Sequence, residues 1–335
     1  MKLIRDNGLV VEKENKKIAI DPQSRLSGSD LTLISHAHID HIQGLNRDSS
    51  ILSSRETYEI LKLRAHQPLN CIQLALRQLY EDDDIKITPY NSGHVLGSFQ
   101  FLIESDEESI LYSSDINCVK SLTTLPAESV EADTLILEST YGRPEYSLPP
   151  REDVYAEIVE WCVKTLNRGR IPVFKAYSLG KSQELIKLMN SYLHVPVIVD
   201  SSVAFISRVY NENGMRLNFI NQQEEEAQEL LKEKSCILII SSFQANSFLF
   251  ERDVFEFAFT SGWALKFKPK NFSAAFPLSS HADYYQLLKF VEACAPRKVY
   301  TFHGYAEDLA KAIKAKLNID AQPVYEIPQR KLSEF

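Results

Sequence analysis

The apolar run Leu31-Thr32-Leu33-Ile34 leads straight into Ser35-His36-Ala37-His38-Ile39-Asp40-His41. Four metal-capable side chains thus fall within six residues, at offsets 0, 2, 4 and 5. Groups of this kind are costly to bury unless they are paired or ligate an ion. Any fold of this chain must therefore gather them at a strand end. A loop leaving the strand can aim His36 and His38 at one pocket and Asp40 and His41 at a neighbouring one. Imidazole and carboxylate suit a borderline cation such as zinc, and three or four such ligands leave a position open for chemistry.

The rest of the composition narrows the context. With 44% hydrophobic and 24% charged residues, collagen-like and wholly disordered chains are excluded. A length of 335 residues supplies material for about two domains. The net charge of −8 speaks against a broad basic binding surface. Charge appears at once in Met1-Lys2-Leu3-Ile4-Arg5-Asp6, so a secretory signal is not expected. No apolar run approaches the roughly 18–20 residues that span a bilayer. Five cysteines (71, 118, 162, 236 and 294) are odd in number, scattered and never in a C-x-x-C pair. They are expected as buried thiols of a soluble, cytoplasmic protein. No G-x-S-x-G elbow or Cys–His signature is present, which removes serine and thiol hydrolases.

Short apolar runs predict strands over 17–21, 31–35, 99–104, 109–114 and 134–139. Tyr58, Leu61 and Ala65 place a helix over 55–65. Pro144, Pro149 and Pro150 mark a shift, after which Val154, Ile158, Trp161, Cys162 and Leu166 share one helical face that Gly169 terminates. A strand over 171–176, a helix carrying Leu185, Leu188, Met189 and Tyr192, and strands over 195–200 and 236–241 follow. This alternation predicts an α/β unit with a parallel sheet across about 150–260. Helix 283–294, strand 298–302 and helix 306–317 close the pattern, with a polar, frayed tail from Gln329.

The H-x-H-x-D-H string resembles motif 2 of the metallo-β-lactamase superfamily. Asp21, after Ile18-Ala19-Ile20, is similar to motif 1, an orienting carboxylate, although a turn aspartate before Pro22 has the same appearance. His94 in Ser92-Gly93-His94-Val95-Leu96-Gly97-Ser98 resembles motif 3. Asp115 in Tyr112-Ser113-Ser114-Asp115 resembles motif 4, with Ser114 where many relatives have glycine. Three later segments look like motifs A, B and C of the β-CASP nucleases: Glu138-Ser139-Thr140-Tyr141-Gly142, Ser279-Ser280-His281-Ala282-Asp283 and Thr301-Phe302-His303-Gly304-Tyr305. The stretch Glu138–Pro149, Tyr177-Ser178-Leu179-Gly180-Lys181-Ser182-Gln183 and Ser261-Gly262-Trp263, with Ser280-His281-Ala282-Asp283, are similar to the compact ligase-associated DNA exonucleases and their archaeal RNA-processing relatives. A histidine at motif C is closer to the RNA-type members.

The resemblance implies an α/β fold, an αββα sandwich with an inserted α/β β-CASP cap. The core would comprise 1–147 and 265–335, and the cap 148–264. It further implies two zinc ions per chain, one held by His36, His38 and His94 and the other by Asp40, His41 and His303, with Asp115 between them. Asp40, Glu138 and His281 would be catalytic. His281 would act as general acid oriented by Glu138, a structural or metal-bound histidine being the alternative. The implied activity is a phosphodiesterase for single-stranded RNA or DNA, leaning to an exonuclease, in RNA processing or DNA repair. A thioester or lactone hydrolase and an inactive scaffold subunit are the competing readings. The inserted segment, Glu138 and His281 oppose the first, and the complete ligand set opposes the second.

Two basic features remain. Leu179-Gly180-Lys181-Ser182 lacks the upstream glycine of a P-loop, since Lys175 stands there, yet Lys181 at a helix start is a candidate phosphate contact. Lys266-Phe267-Lys268-Pro269-Lys270 sets three cations around an aromatic ring and makes Lys266 and Lys268 candidates for backbone contact. Otherwise these are a plain helix start and a solvated loop. His66 and His194 fall outside every motif and are expected at the surface or a helix end.

Overall fold

Alternation of side chains across two faced sheets sets the first layer of structure. The computed structural model describes residues 1–324 except 6–7, 15, 25–27, 46–48, 66–69 and 242–252. His66 and the tail from Gln329 lie outside the described residues. Strands β1 (Lys2–Arg5), β2 (Leu9–Lys13), β3 (Lys16–Ile20) and β4 (Leu31–Leu33) are followed by the short helix α1 (Ile39–Ile42). Then come β5 (Ser50–Ser54), α2 (Arg55–Ala65) and β6 (Cys71–Leu74), and β1 to β6 form one sheet in chain order. A meander of β7 (Tyr80–Asp82), β8 (Ile85–Asn91), β9 (Phe99–Glu104) and β10 (Ser109–Tyr112) starts the second sheet. Parallel strands β11 (Thr134–Glu138), β18 (Lys298–Phe302) and β19 (Asp320–Pro323) extend it from β10.

The period of two is visible residue by residue. Ile110, Tyr112 and Ile136 point into a core shared with Val11, Ile20, Leu33 and Leu52 of the first sheet. Leu111, Leu135 and Leu137 point the other way, onto α7 (Tyr284–Cys294) and α8 (Ala306–Leu317) through Leu287, Val291, Leu309 and Ile313. With α2 packed on β5 and β6, the layers run helix, sheet, sheet, helix. Each fully buried aliphatic residue contributes about 1.5–3 kcal/mol, which makes this layering the main source of stability for the site it carries.

Two compact units result: 1–120, 125–147 and 281–335 form the first, and 121–124 with 148–280 the second. The second holds α3 (Arg151–Asn167), β12 (Ile171–Lys175), α4 (Lys181–Tyr192), β13 (Val197–Val199), α5 (Ser201–Glu212), β14 (Ile220–Asn221), α6 (Glu225–Glu233), β15 (Ile237–Ile240), β16 (Phe255–Thr260) and β17 (Ala274–Phe276). Its described strands make one parallel sheet in the order β14-β13-β15-β12-β16-β17. The domain boundary expected at 264/265 moves to 280/281, because β17 pairs with β16 in that sheet, Thr260 opposite Phe276. All five cysteines are free, with Cys162, Cys236 and Cys294 buried. Among the described residues no helix is long and apolar enough to cross a membrane.

Candidate metal centre

Backbone bonds fix the histidine string before any side chain is considered. The Ile34 N–H donates to Leu52 (2.9 Å), and the Ser35 carbonyl accepts from Phe99 (2.9 Å), so His36 follows the carboxyl end of β4 between the two sheets. His38 then caps α1 in extended conformation, and that single turn presents Asp40 and His41. His36 Nε2 lies 3.0 Å from His38 Nδ1, which in turn lies 3.1 Å from His94 Nε2. Asp115 Oδ2 sits 3.7 Å from His36 Nε2 and 3.6 Å from His94 Nε2. Zinc–ligand bonds of about 2.0–2.1 Å at tetrahedral angles separate ligand atoms by about 3.3 Å. His36, His38, His94 and Asp115, with their donor atoms all within 4.8 Å of one another, therefore fit such an ion.

Protonation at His36 and Asp115 agrees with that fit. Burial, reinforced by the neighbouring imidazoles of His41, His38 and His94, holds His36 well below the ordinary histidine range, so its ring is neutral and offers a lone pair. For Asp115 burial acts upward, but the imidazoles of His41, His281 and His94 outweigh it and hold the carboxyl well below its usual range. Burial also opposes charge on His41, yet the Asp115 and Asp21 carboxylates lift it well above its ordinary value.

Asp21 is a hub among these groups. Its Oδ2 accepts from His41 Nδ1 (2.7 Å), Tyr112 OH (2.8 Å) and Ser35 Oγ (2.5 Å), and its Oδ1 accepts from the Ser35 N–H (2.8 Å). With Nδ1 so engaged, His41 turns Nε2 toward Asp115 (3.4 Å) and Asp40 (3.8 Å). A carboxylate behind an imidazole fixes ring and tautomer in this way at metal sites. The Ser114 substitution also has a local account. Its φ of +56° lies in the left-handed region, at a cost of roughly 1–2 kcal/mol. Its hydroxyl donates to Ser35 Oγ (2.7 Å), a bond glycine lacks.

Glu138, fully buried at the end of β11, accepts from the Ile116 N–H (2.9 Å) and the Thr140 N–H (3.2 Å), and its Oε1 lies 2.9 Å from His281 Nδ1. Asp115, Glu138 and His281 bring their polar atoms within 4.8 Å of one another. His303 follows β18 and lines one pocket with Asp21, Asp40, His41, Tyr112 and Asp115. Neither Asp40 nor His303 joins a tight three-residue donor group among the described residues.

The basic candidates separate. Lys266 and Lys268 are exposed, with Phe267 41% exposed between them. Lys181 is no solvent-facing cation: it is buried, and its ammonium donates to the Leu278 carbonyl (2.8 Å) and Ser280 Oγ (3.1 Å). Its expected phosphate contact is therefore replaced by an internal one, because the first turn of α4 faces inward. His194 is exposed, as expected. No role for Ser35, Tyr112, Ser114 or Ser139 emerged from the sequence. Ser35, Ser114 and Ser139, next to His36, Asp115 and Glu138, had a local signal.

Comparisons with known proteins meet this geometry. Residues 8–170 match a family described as a beta-lactamase superfamily domain, and 274–322 match a Zn-dependent metallo-hydrolase RNA specificity domain. A probable DNA ligase of Opitutus terrae is 32% identical across 85% of this chain and 28% of its own length. An RNase J-like protein of Methanocaldococcus jannaschii is 31% identical across 54% of the chain and 49% of its own. The Endoribonuclease ysh1 of Emericella nidulans is 29% identical across 50% and 23%. The chain thus spans from under a quarter to about half of these relatives. A crystal structure of a protein of unknown function from Enterococcus faecalis V583 shares the fold, with a TM-score of 0.66 at 15% identity over 97% of this chain and 96% of that one. The chain belongs to the metallo-β-lactamase superfamily and, within it, to the β-CASP nuclease branch.

Proposed function

We propose that the chain is a zinc-dependent phosphodiesterase that hydrolyses single-stranded RNA or DNA, preferentially from an end, in the cytoplasm. The observation that carries this reading is the Glu138–His281 pair, 2.9 Å apart, beside the Asp115 carboxylate. His36, His38 and His94 would hold one zinc, Asp40, His41 and His303 the other, and Asp115 both. When bound, the ions activate water at neutral pH and offset the charge of a phosphoryl group.

The chain's own residues supply the rest. Glu138 holds His281 by Nδ1, which leaves Nε2 to deliver a proton to the departing oxygen. Asp21 and Tyr112 keep His41 in one orientation, and the buried Asp115 is ionised before any substrate arrives. Exposed Lys266 and Lys268 around Phe267 suit a phosphate backbone and a stacked base. A thioester or lactone needs no Glu138–His281 pair, so the nucleic-acid reading is preferred.

Metal analysis and a cleavage assay test this together. The expected result is two zinc ions per chain and trimming of RNA or DNA oligonucleotides labelled at either end, lost on chelation and in Asp40→Ala. A zinc-loaded, folded chain that cleaves none of these oligonucleotides would overturn the reading.

A further inference from the structure

His303 occupies an unusual backbone. Its φ is +61°, and Gly304 follows at +55°, so two successive residues are left-handed directly after β18. Side chains rarely hold such a conformation unless their surroundings over-determine it. Here the residue that follows the neighbouring strand β11 does so. The Ser139 hydroxyl, fully buried, shares its proton between the carbonyls of Phe302 (2.7 Å) and His303. The Ser139 carbonyl accepts from the Tyr305 N–H (2.8 Å). A Cβ on Gly304 would collide with that carbonyl and lie 2.5 Å from Thr140 Cα. Every residue of the turn, from 302 to 305, is thus tied to Ser139 or shaped around it.

The far side of the turn is also anchored. The Tyr305 hydroxyl meets that of Tyr146 at 3.0 Å, with their rings 5.5 Å apart. The Arg143 guanidinium lies 4.2 Å over the Tyr305 ring while its Nε donates to Asp308 (2.8 Å). These contacts hold Tyr305 and α8. Ser139 reaches the carbonyls on both sides of the His303 α-carbon.

We propose that Ser139 is a positioning residue for His303. It holds the left-handed turn that keeps the imidazole at the pocket wall shared with Asp40, His41 and Asp115, and so sets the affinity of the second metal position without touching the ion. This rests on the two-zinc reading above. His36, His38 and His94 are fixed from other elements and do not depend on it. Groups that orient a ligand typically contribute 10–100-fold to metal affinity, and that is the loss expected on removing the hydroxyl.

The test strips zinc from the loaded chain with graded chelator and reads the two release steps in wild type, Ser139→Ala, His303→Ala and the double variant. Ser139→Ala should weaken the second ion about 10–100-fold and leave the first unchanged. In the His303→Ala background the same change should add nothing, since its effect passes through that imidazole. Gly304→Ala, which keeps the hydroxyl but crowds its carbonyl, should reproduce the selective loss even if Ser139→Ala folds poorly. Unaltered release in both single variants, an equal weakening of both ions, or a further loss in the double variant overturns the proposal. A wild-type chain with fewer than two ions removes the two-zinc reading and this inference with it.

Discussion

Glu138→Gln exchanges one oxygen for an amide nitrogen in a fully buried position surrounded by three N–H donors. The carboxylate accepts from all three: Ile116 N–H and His281 Nδ1 at Oε1, both at 2.9 Å, and Thr140 N–H at Oε2, 3.2 Å away. Glutamine offers one acceptor. With its oxygen toward Ile116 and His281, its amide faces the Thr140 N–H, donor against donor. The opposite orientation opposes two donors and is worse. An unsatisfied buried donor costs about 1–3 kcal/mol, and a neutral acceptor gives up about 1 kcal/mol relative to a charged one. The variant should therefore unfold in urea with about 2–4 kcal/mol less stability. Zinc content should be unchanged, because Glu138 is outside the proposed ligand set. Cleavage should fall about 10²-fold or more, the scale of one general acid–base contribution, as the proton on His281 loses its counter-charge. Zinc-replete Glu138→Gln cleaving at the wild-type rate would refute the role given to the pair. Unchanged urea stability would refute the three-donor account of its energetics.

Two further outcomes follow from the same reasoning. Burial pulls the Lys181 pKa down to about 8 from 10.5. The folded chain therefore binds fewer protons than the unfolded one between those values, and stability rises with pH across that window. At 1.36 kcal/mol per unit, wild type should gain about 3 kcal/mol relative to Lys181→Met between pH 8 and 10.5 in urea titrations, and parallel curves would contradict the buried charge. Gly93, at φ +74°, has Asn117 O, Ala127 N and Leu125 O within 2.5, 2.7 and 2.8 Å of where a Cβ would stand. Gly93→Ala should cost about 2–4 kcal/mol from left-handed strain plus overlap, read as a lower melting temperature and loosened zinc at neighbouring His94.

The legible parts were those encoded locally. The strand over 99–104, the helix over 55–65 and the strand over 298–302 were readable from period alone and stand where expected. Helix α5 is masked in the sequence, because Ser-Ser-Val-Ala-Phe-Ile-Ser-Arg-Val-Tyr is rich in β-branched and aromatic residues that favour strands. It forms through the Asp200 cap on Val203 N–H (2.9 Å) and by burying Val203, Ile206, Val209 and Tyr210. At the site, His36, His38, Asp40 and His41 announce themselves by spacing. The Asp21–Tyr112 bond joins residues 91 apart and has no local trace. The burial of Lys181 is hidden for the same reason: Lys181, Ser182, Gln183 and Glu184 are polar in composition, yet all four are buried, and only the tertiary packing reveals it.

Strands β10, β11 and β18 run parallel as neighbours, with Glu138 in register opposite Phe302. Asp115, Glu138 and His303 all emerge from the carboxyl ends of these strands, at lateral steps fixed by the inter-strand hydrogen bond, about 4.8 Å each. The sheet therefore acts as a ruler whose graduations do not depend on how the chain travels between strands. Between β11 and β18 the chain leaves to build the whole stretch 148–280 of the second unit and then returns to the adjacent slot. Length or sequence can change within that excursion without altering the spacing of the three side chains. A slip of one residue in the β11–β18 pairing would instead turn Glu138 to the opposite face of the sheet.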